Sequence, residues 1–531
     1  MRSPNQEAGR FSRSEKRLLL LIIIFGFLLR VSTIFWGAGI LPYTGRYHPD
    51  EKKTFQHAVE FPSNYGSDTG FTHGSTVPYL LATLLLPVKS IVTPAHWEIV
   101  CLMGMRAISV LAGTAALLLV YWLALDLYDR NTALLAAAIT AVSFTHCMNS
   151  AFATQDIIVG FFLLTCFLAL FRAVRSGRDR DFLILGVLTG LLLGTKITAA
   201  LFLFAIVVLA VIDIVRAHGA AAKTTRRWIV RLAICGEIAF VVFAVTSPHI
   251  VLNFSGFLAF WKQEKFLWYD RGMVPWNQVP GIWWRITAMT VTVPVLIAFF
   301  VGVLLPGRRN RFHHLAILGF IVLYYWFLRH HVLPRYITTL APLMCIYAAH
   351  ACMALVKRPS LLLRMTGLGF AAIILVVSGW ACGQGIHARF ADPRTEASKW
   401  LNAHIQPGST VALAGDSPPI ILGWEYPWVD ESKLKMVSPL EQPDVIIMSS
   451  LSYGIMEQAL RSPYLKNWSW DPNHNNNWYN YDPPSPETFM LFDELIRGSD
   501  KYYLEANFPL PDTRFQVDFM TGIRVYRRTS F

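Results

Sequence analysis

Charge is scarce in this chain. Of 531 residues only 15% are Asp, Glu, Lys or Arg, while 54% are hydrophobic, and the mean hydropathy is +0.41. A soluble protein of this length cannot hide so much apolar surface, because the buried fraction rises only slowly with size. A soluble globular class is therefore excluded, and the apolar residues must face lipid or one another. Cysteine is also sparse. The seven cysteines (Cys101, Cys147, Cys166, Cys235, Cys345, Cys352 and Cys382) all fall in or at the ends of apolar runs. None follows Cys382, and no CxxC spacing or metal-type cluster exists, which excludes a disulfide framework in the C-terminal part. They read as small packing residues. No internal repeat is visible. Beyond Gly383 there is neither a nucleotide-binding fingerprint nor a catalytic triad.

What is present is a series of apolar runs. The first, Leu18 to about Ile40, is long enough to cross a bilayer and follows Arg2, Arg10, Arg13, Lys16 and Arg17. A signal peptide has a shorter core and a small-residue cleavage site, so this run reads as an uncleaved first span with a cytoplasmic N-terminus. After a polar stretch, the run from Val77 to about Val92 is short and holds Pro78, Pro87 and Lys89. It is expected to lie along the membrane surface. Further spans are expected at roughly 101–125, 131–148, 156–174, 182–196, 197–215, 228–247, 283–305, 313–329, 335–356 and 361–382, about eleven in all with the first.

The net charge of +13 is placed as a topology signal, not as a nucleic-acid surface. Arg130, Arg172 to Arg180, Arg216 to Arg231, Arg308 to Arg311 and Lys357 to Arg364 fall in loops of one face, which is then cytoplasmic. The other face receives 41–100, 149–155, 248–281, 329–334 and everything after 382. The expected architecture is a multi-pass α-helical membrane domain over 1–382, with 41–100 as a first external loop carrying interfacial helices. A small external domain of α/β or α+β type over 383–531 follows. In that domain Asp392-Pro393, then Ala397, Trp400, Leu401 and Ile405, with Gly408 beyond, predict a capped amphipathic helix. Thr410–Ala414 and Val445–Met448 read as buried strands, and Asn473–Tyr481 as a loop.

Candidate chemistry gathers on the external face. His48-Pro49-Asp50-Glu51 follows the first span. Two carboxylates there suit the first turn of a helix, whose dipole favours them, and equally suit a general base with a neighbour that binds substrate or metal. Thr154-Gln155-Asp156 opens a later span. An unpaired carboxylate at that depth is costly, so Asp156 is either a helix cap or a functional group. Lys196, Arg329-His330-His331 and Pro334-Arg335-Tyr336 place cations outside, against the positive-inside bias. They either snorkel to headgroups or bind phosphate, for which Arg offers a planar fork and Lys a compact charge. Arg30, Arg106 and Glu237 lie within spans and are expected to pair in the bundle or reach the interface. Trp261, Lys262, Lys265, Trp268, Tyr269, Asp270, Arg271 and Trp276 form an aromatic and charged stretch. Such a stretch suits either a membrane belt or the flank of a lipid groove.

Together, in this order and facing, these motifs resemble the lipid-carrier-dependent glycosyltransferases of the GT-C fold. The likeness is to glycosyltransferase family 39 with the protein O-mannosyltransferases, and to the aminoarabinose transferases of lipid A. The helix after Asp392 and Pro443-Asp444-Val445-Ile446 resemble the external tail of bacterial members. The Trp-Trp-Asp motif of oligosaccharyltransferases is missing. The resemblance implies hexosyl or pentosyl transfer from a polyprenyl-phosphate sugar to a lipid, glycan or protein hydroxyl, with inversion, at the external face of a cell membrane. It implies Asp50 as base, Glu51 as an acceptor contact, and Asp156 as a group that positions the donor, holds Lys196 or Arg335, or binds metal. Lys196, Arg335 and Arg329 would bind the donor phosphate, and His48, Tyr336 and His331 are further substrate contacts. A divalent metal is compatible with Asp50, Glu51 and Asp156 as hard oxygen ligands, or zinc with His48, His73 and His331; otherwise no cofactor is expected. The rival readings are a polytopic lipid or sugar transporter or flippase, and a non-catalytic GT-C-like scaffold. A transporter predicts repeat symmetry and broken helices, and the sequence shows neither.

Overall fold

The structure, a computed structural model, describes residues 12–37, 49–66, 74–217, 221–265, 277, 279–305, 311–329, 334–413, 429–430, 432–449, 486–510 and 522–529. The chain divides into two compact units. Met1–Ile34, Lys53–Glu264 and Val274–Gly383 make the first; Phe35–Lys52, Lys265–Met273 and Gln384–Phe531 make the second.

The first unit is helical. In order come α1 (Arg13–Val31), α2 (Pro49–Glu60, whose first turn falls in the second unit), α3 (Thr76–Lys89), α4 (Pro94–Leu127), α5 (Arg130–Ala141), α6 (Phe144–Asn149), α7 (Asp156–Ser176), α8 (Asp179–Thr195) and α9 (Phe202–Arg216). Then follow α10 (Ala221–Thr246), α11 (Pro248–Leu252), α12 (Phe254–Lys265, whose last residue falls in the second unit), α13 (Val279–Val291), α14 (Val293–Leu304), α15 (Arg311–Phe327), α16 (Pro334–Thr338), α17 (Ala341–Val356) and α18 (Leu361–Phe390, which enters the second unit at Gln384). Among the described residues five helices are long and apolar enough to cross a membrane, or six if α13 and α14 count as one bent span. Other stretches expected to span fold as shorter helices: α5 has 12 residues, α8 and α15 have 17 each, and α17 has 16.

One expectation needs correction. The run 283–305 is not a straight span, and the sequence reading that found no broken helix missed this one. α13 and α14 meet at Thr292 and bend by 108°. Pro294, in the first turn of α14, lacks an amide and so cannot carry the helical hydrogen-bond ladder on from α13. Thr292 itself adopts φ 74°, ψ 149° and bonds Ser378 Oγ at 3.1 Å. This is a backbone region costing about 1–3 kcal/mol for a side-chain-bearing residue.

Small residues let these helices approach closely, as membrane packing requires. At Gly302 of α14 a Cβ would lie 2.0 Å from the Tyr347 carbonyl oxygen of α17. Two arginines buried among these helices are held by backbone carbonyls. Arg30 is fully buried and donates to the carbonyls of Gly26, Thr140 and Ala141 at 2.8–3.1 Å, with His146 Nδ1 at 2.9 Å. Arg106 donates to the Ile34 carbonyl at 2.7 Å. Glu237 is exposed on α10, between Gly236 and Ile238.

The second unit carries a five-stranded sheet. Its strands are β1 (Thr410–Leu413), β2 (Lys435–Met436), β3 (Val445–Ser449), β4 (Tyr502–Phe508) and β5 (Ile523–Arg528), in the order β2-β1-β3-β5-β4. β1 pairs in parallel with β2 and β3, and β5 antiparallel with β3 and β4. Successive side chains of a strand point to opposite faces. Val445 and Ile447 therefore pack with Ala397 and Leu401 of α19 (Pro393–His404), while Ile446 and Met448 pack with Phe492 and Leu495 of α20 (Pro486–Arg497). Helices on both faces make every residue of β3 buried.

Asp392 caps α19 as expected, accepting from the Arg394 amide at 2.9 Å. Its carboxylate also takes Arg394 Nε and Nη2 at 3.0 and 2.7 Å and the Trp36 indole at 3.0 Å. Asp444, from the Pro443-Asp444 motif, accepts the Thr410 amide and hydroxyl, each at 2.8 Å. These bonds, the backbone one foremost, hold its carboxyl below the usual range. The Asn473–Tyr481 stretch lies outside the described residues.

Candidate active site

The site is built where two helices of the first unit stop. α7 begins at Asp156, whose charge suits the positive end of a helix. Gln155 does not cap it; its side-chain amide instead donates to the Gly74 carbonyl at 2.6 Å. α8 ends because Lys196 is extended (φ −156°, ψ 123°), and a short 3-10 turn leads into α9. The break carries the Lys196 ammonium to Asp156 Oδ1 at 2.7 Å, with side chains only 10% and 7% exposed. Lys196 Nζ also lies 4.8 Å from the Tyr336 ring centre, and the Arg335 guanidinium 5.3 Å from the same ring. Two cations thus share one aromatic ring, with Arg335 and Tyr336 half-buried. Thr339 Oγ1 donates to the Asp156 carbonyl at 3.4 Å, and Tyr324 to the Tyr336 carbonyl at 3.3 Å.

A polar web holds this corner. Gly74 donates to the Thr195 carbonyl at 3.1 Å. Ser247 donates to the Gly194 carbonyl at 3.0 Å and accepts the Ser75 amide at 3.2 Å. Ser75 Oγ sits 3.1 Å from His249 Nδ1. Gly74 is required by closeness: a Cβ there would meet the Gly194 carbonyl oxygen at 1.8 Å. Among the described residues the buried Asn149 Oδ1, Thr154 Oγ1 and Gln155 Oε1 have no hydrogen-bond partner. Gly74, Ser75, Asn149, Ser247, His249 and Tyr324 were not singled out from sequence. Ser247-Pro248-His249, at the end of an expected span, was the available signal for two of them.

The other candidates lie as follows. Asp50 and Glu51 occupy the first turn of α2, with Glu51 fully buried and Asp50 half-buried. Arg329 caps the end of α15, donating to the Trp326 carbonyl at 2.9 Å with its guanidinium 4.8 Å from the Trp326 ring. His48, His73, His331 and the stretch from Trp268 to Trp276 lie outside the described residues. Among the described residues no three His, Cys, Asp or Glu side chains converge as a metal site. Asp156 is already neutralised by an ammonium, and a cation added beside Lys196 would be repelled. The corner suits an anion better than a metal.

This arrangement belongs to a known class of fold. The chain is similar to ArnT from Cupriavidus metallidurans, solved bound to undecaprenyl phosphate, with TM-score 0.52 and 12% identity over 97% of this chain and 98% of that one. It is also similar to the archaeal oligosaccharyltransferase AglB from Archaeoglobus fulgidus. In complex with an inhibitory peptide and a dolichol-phosphate that protein gives TM-score 0.53 and 11% identity over 94% and 80% of the two chains. Its complex with Zn and sulfate gives 0.51 and 12% over 84% and 70%. At such identities the likeness shows the fold, which is GT-C, and does not choose a branch. No curated protein matches the sequence. Residues 100–252 match the family model described as dolichyl-phosphate-mannose-protein mannosyltransferase. That segment includes Asp156 and Lys196. The fold is thus that of GT-C membrane glycosyltransferases, and the family model covers only the segment around the Asp156–Lys196 corner.

Proposed function

We propose that this protein transfers a sugar from a polyprenyl-phosphate donor to an acceptor hydroxyl, with inversion, at the external face of a cell membrane. The observation that carries the reading is the buried Asp156–Lys196 pair with Lys196 and Arg335 set against Tyr336. In the reaction the acceptor oxygen forms a bond to the anomeric carbon as the bond from that carbon to the phosphate oxygen breaks. The carbon passes through an oxocarbenium-like state, as in glycoside hydrolysis. The phosphate leaves as a weak base, so it needs no general acid; it needs fixed positive charge. Lys196 and Arg335 supply that charge, with Arg329 from the end of α15 as a further contact. Asp156 fixes the ammonium of Lys196 and thereby positions the donor.

Asp50 takes the acceptor proton and Glu51 contacts the acceptor; both roles rest on the sequence resemblance and on general-base chemistry. His48, His331 and Tyr336 are assigned to sugar or phosphate. The 1–382 stretch is the catalytic membrane domain and 383–531 an external domain, with the N-terminus cytoplasmic, as the basic loops suggest. The acceptor is a lipid, glycan or protein hydroxyl. Asp50→Asn is the test of the base: a folded variant should lose transfer by about 100-fold or more. Full retention would remove Asp50 from the role. With EDTA as the parallel condition, transfer should persist. Loss in EDTA would instead assign a divalent metal to Asp50 and Glu51.

A further inference from the structure

At the opposite end of α7 from Asp156 lies a second cationic site. Asp213, Arg216 and Ala217 of α9 and its end, with Thr224, Arg227, Trp228 and Arg231 of α10, line a cavity of about 440 Å³. Arg231 fixes its position: it donates to the Gly177 carbonyl and lies 3.4 Å from Asp179, at the turn joining α7 to α8. The Asp156–Lys196 pair stands at the other end of those two helices. α7 has 21 residues, so at 1.5 Å per residue the two sites are about 30 Å apart, one bilayer core. The cavity is therefore no part of the donor site.

The lining is specific in charge. Three arginines line the recess against one carboxylate, Asp213, which takes the Trp228 indole at 2.9 Å, while Arg231 also meets Asp179 outside the lining. Arg216 stacks on Phe312 at 4.6 Å and Arg231 on Phe182 at 5.0 Å, which fixes both guanidinium groups. Arg227 has no acidic partner among the described residues and is exposed. Thr224 is half-buried beside it. A charged recess one bilayer core away from the Asp156–Lys196 pair suits a lipid phosphate headgroup, with which arginine pairs in bidentate fashion.

We infer that this recess binds the phosphate of an anionic phospholipid. The site would hold the lipid in the leaflet opposite the reaction. The test uses the purified full chain in neutral detergent, titrated with phosphatidylglycerol, phosphatidylcholine or sodium phosphate, with bound lipid counted by native mass spectrometry and the thermal midpoint followed. Phosphatidylglycerol should bind at least tenfold more tightly than phosphatidylcholine, less so at high salt. The Arg227→Gln, Thr224→Val double variant should lose that preference. Both side chains reach solvent, so its midpoint without lipid should match the wild type. Arg358→Gln, which removes one exposed charge elsewhere, should keep the preference. The inference is overturned if the two lipids bind alike, if the double variant keeps the preference, or if Arg358→Gln loses it equally. It is also overturned if phosphate alone shifts the midpoint as much as the lipid, since the site would then take a soluble anion.

Discussion

Replacing Lys196 with methionine leaves the Asp156 carboxylate buried without its partner. At 2.7 Å the attraction between unit charges is about 6 kcal/mol at an effective dielectric constant near 20. Desolvation offsets much of that in the intact pair, yet removal of one partner of a buried pair costs about 3–5 kcal/mol. Lys196→Met should therefore lower the thermal midpoint clearly and reduce sugar transfer by about 100-fold or more, the scale of losing one donor to a developing negative charge. The two effects separate in the Asp156→Asn, Lys196→Met double variant. With both charges gone, most of the lost stability should return, because no uncompensated charge remains. Transfer should not return, because the phosphate still lacks its ammonium. Thermal unfolding and transfer are measured on all four proteins of the cycle. A double variant that regains wild-type transfer would refute the phosphate role and make the pair structural. A Lys196→Met protein as stable as the wild type would refute the energetic argument itself.

Gly74→Ala puts a methyl group 1.8 Å from the Gly194 carbonyl oxygen, so it should destabilise by about 1–3 kcal/mol and weaken transfer by disturbing the corner under Lys196, seen as a lower thermal midpoint and a lower rate together. The Asp444 carboxyl is depressed by Thr410. Its contribution is thus present above the unfolded value of about 3.9 and is lost as pH falls through the lower folded value. Asp444 is largely exposed, which limits the effect to about 1 kcal/mol. Below about pH 4 the wild type should lose its stability advantage over Asp444→Asn in parallel melts; an advantage that persists to pH 2 would contradict the assignment.

Much of the helical part was legible because apolar runs of span length have one reading. The cap at Asp392 was legible for a similar reason: Asp-Pro before an apolar stripe is a local signal. What escaped was nonlocal. Asp156 and Lys196 each stood out as charges in apolar surroundings, but their bond joins residues 40 apart and needs the break at Lys196 to form. Asp392 holds Arg394 and also Trp36, 356 residues away, which no local pattern announces. The contact of Gly74 with Gly194 rests on two helix ends meeting, and a glycine in a loop does not reveal that. The bend at Thr292 had a signal in Pro294, overridden in the reading by the unbroken apolarity on both sides. Glu237 stayed open between pairing in the bundle and reaching the interface, because sequence shows depth in the membrane and not which side of a helix faces out.

The central claim is tested most directly by incubating the purified full chain with a radiolabelled polyprenyl-phosphate sugar pool and envelope acceptors, then following both label and lipid. Transfer of label to an acceptor with release of the polyprenyl phosphate, lost in Lys196→Met, is the predicted result. An active preparation that carries the labelled lipid across vesicles while leaving its sugar–phosphate bond intact would contradict the account and make the protein a transporter.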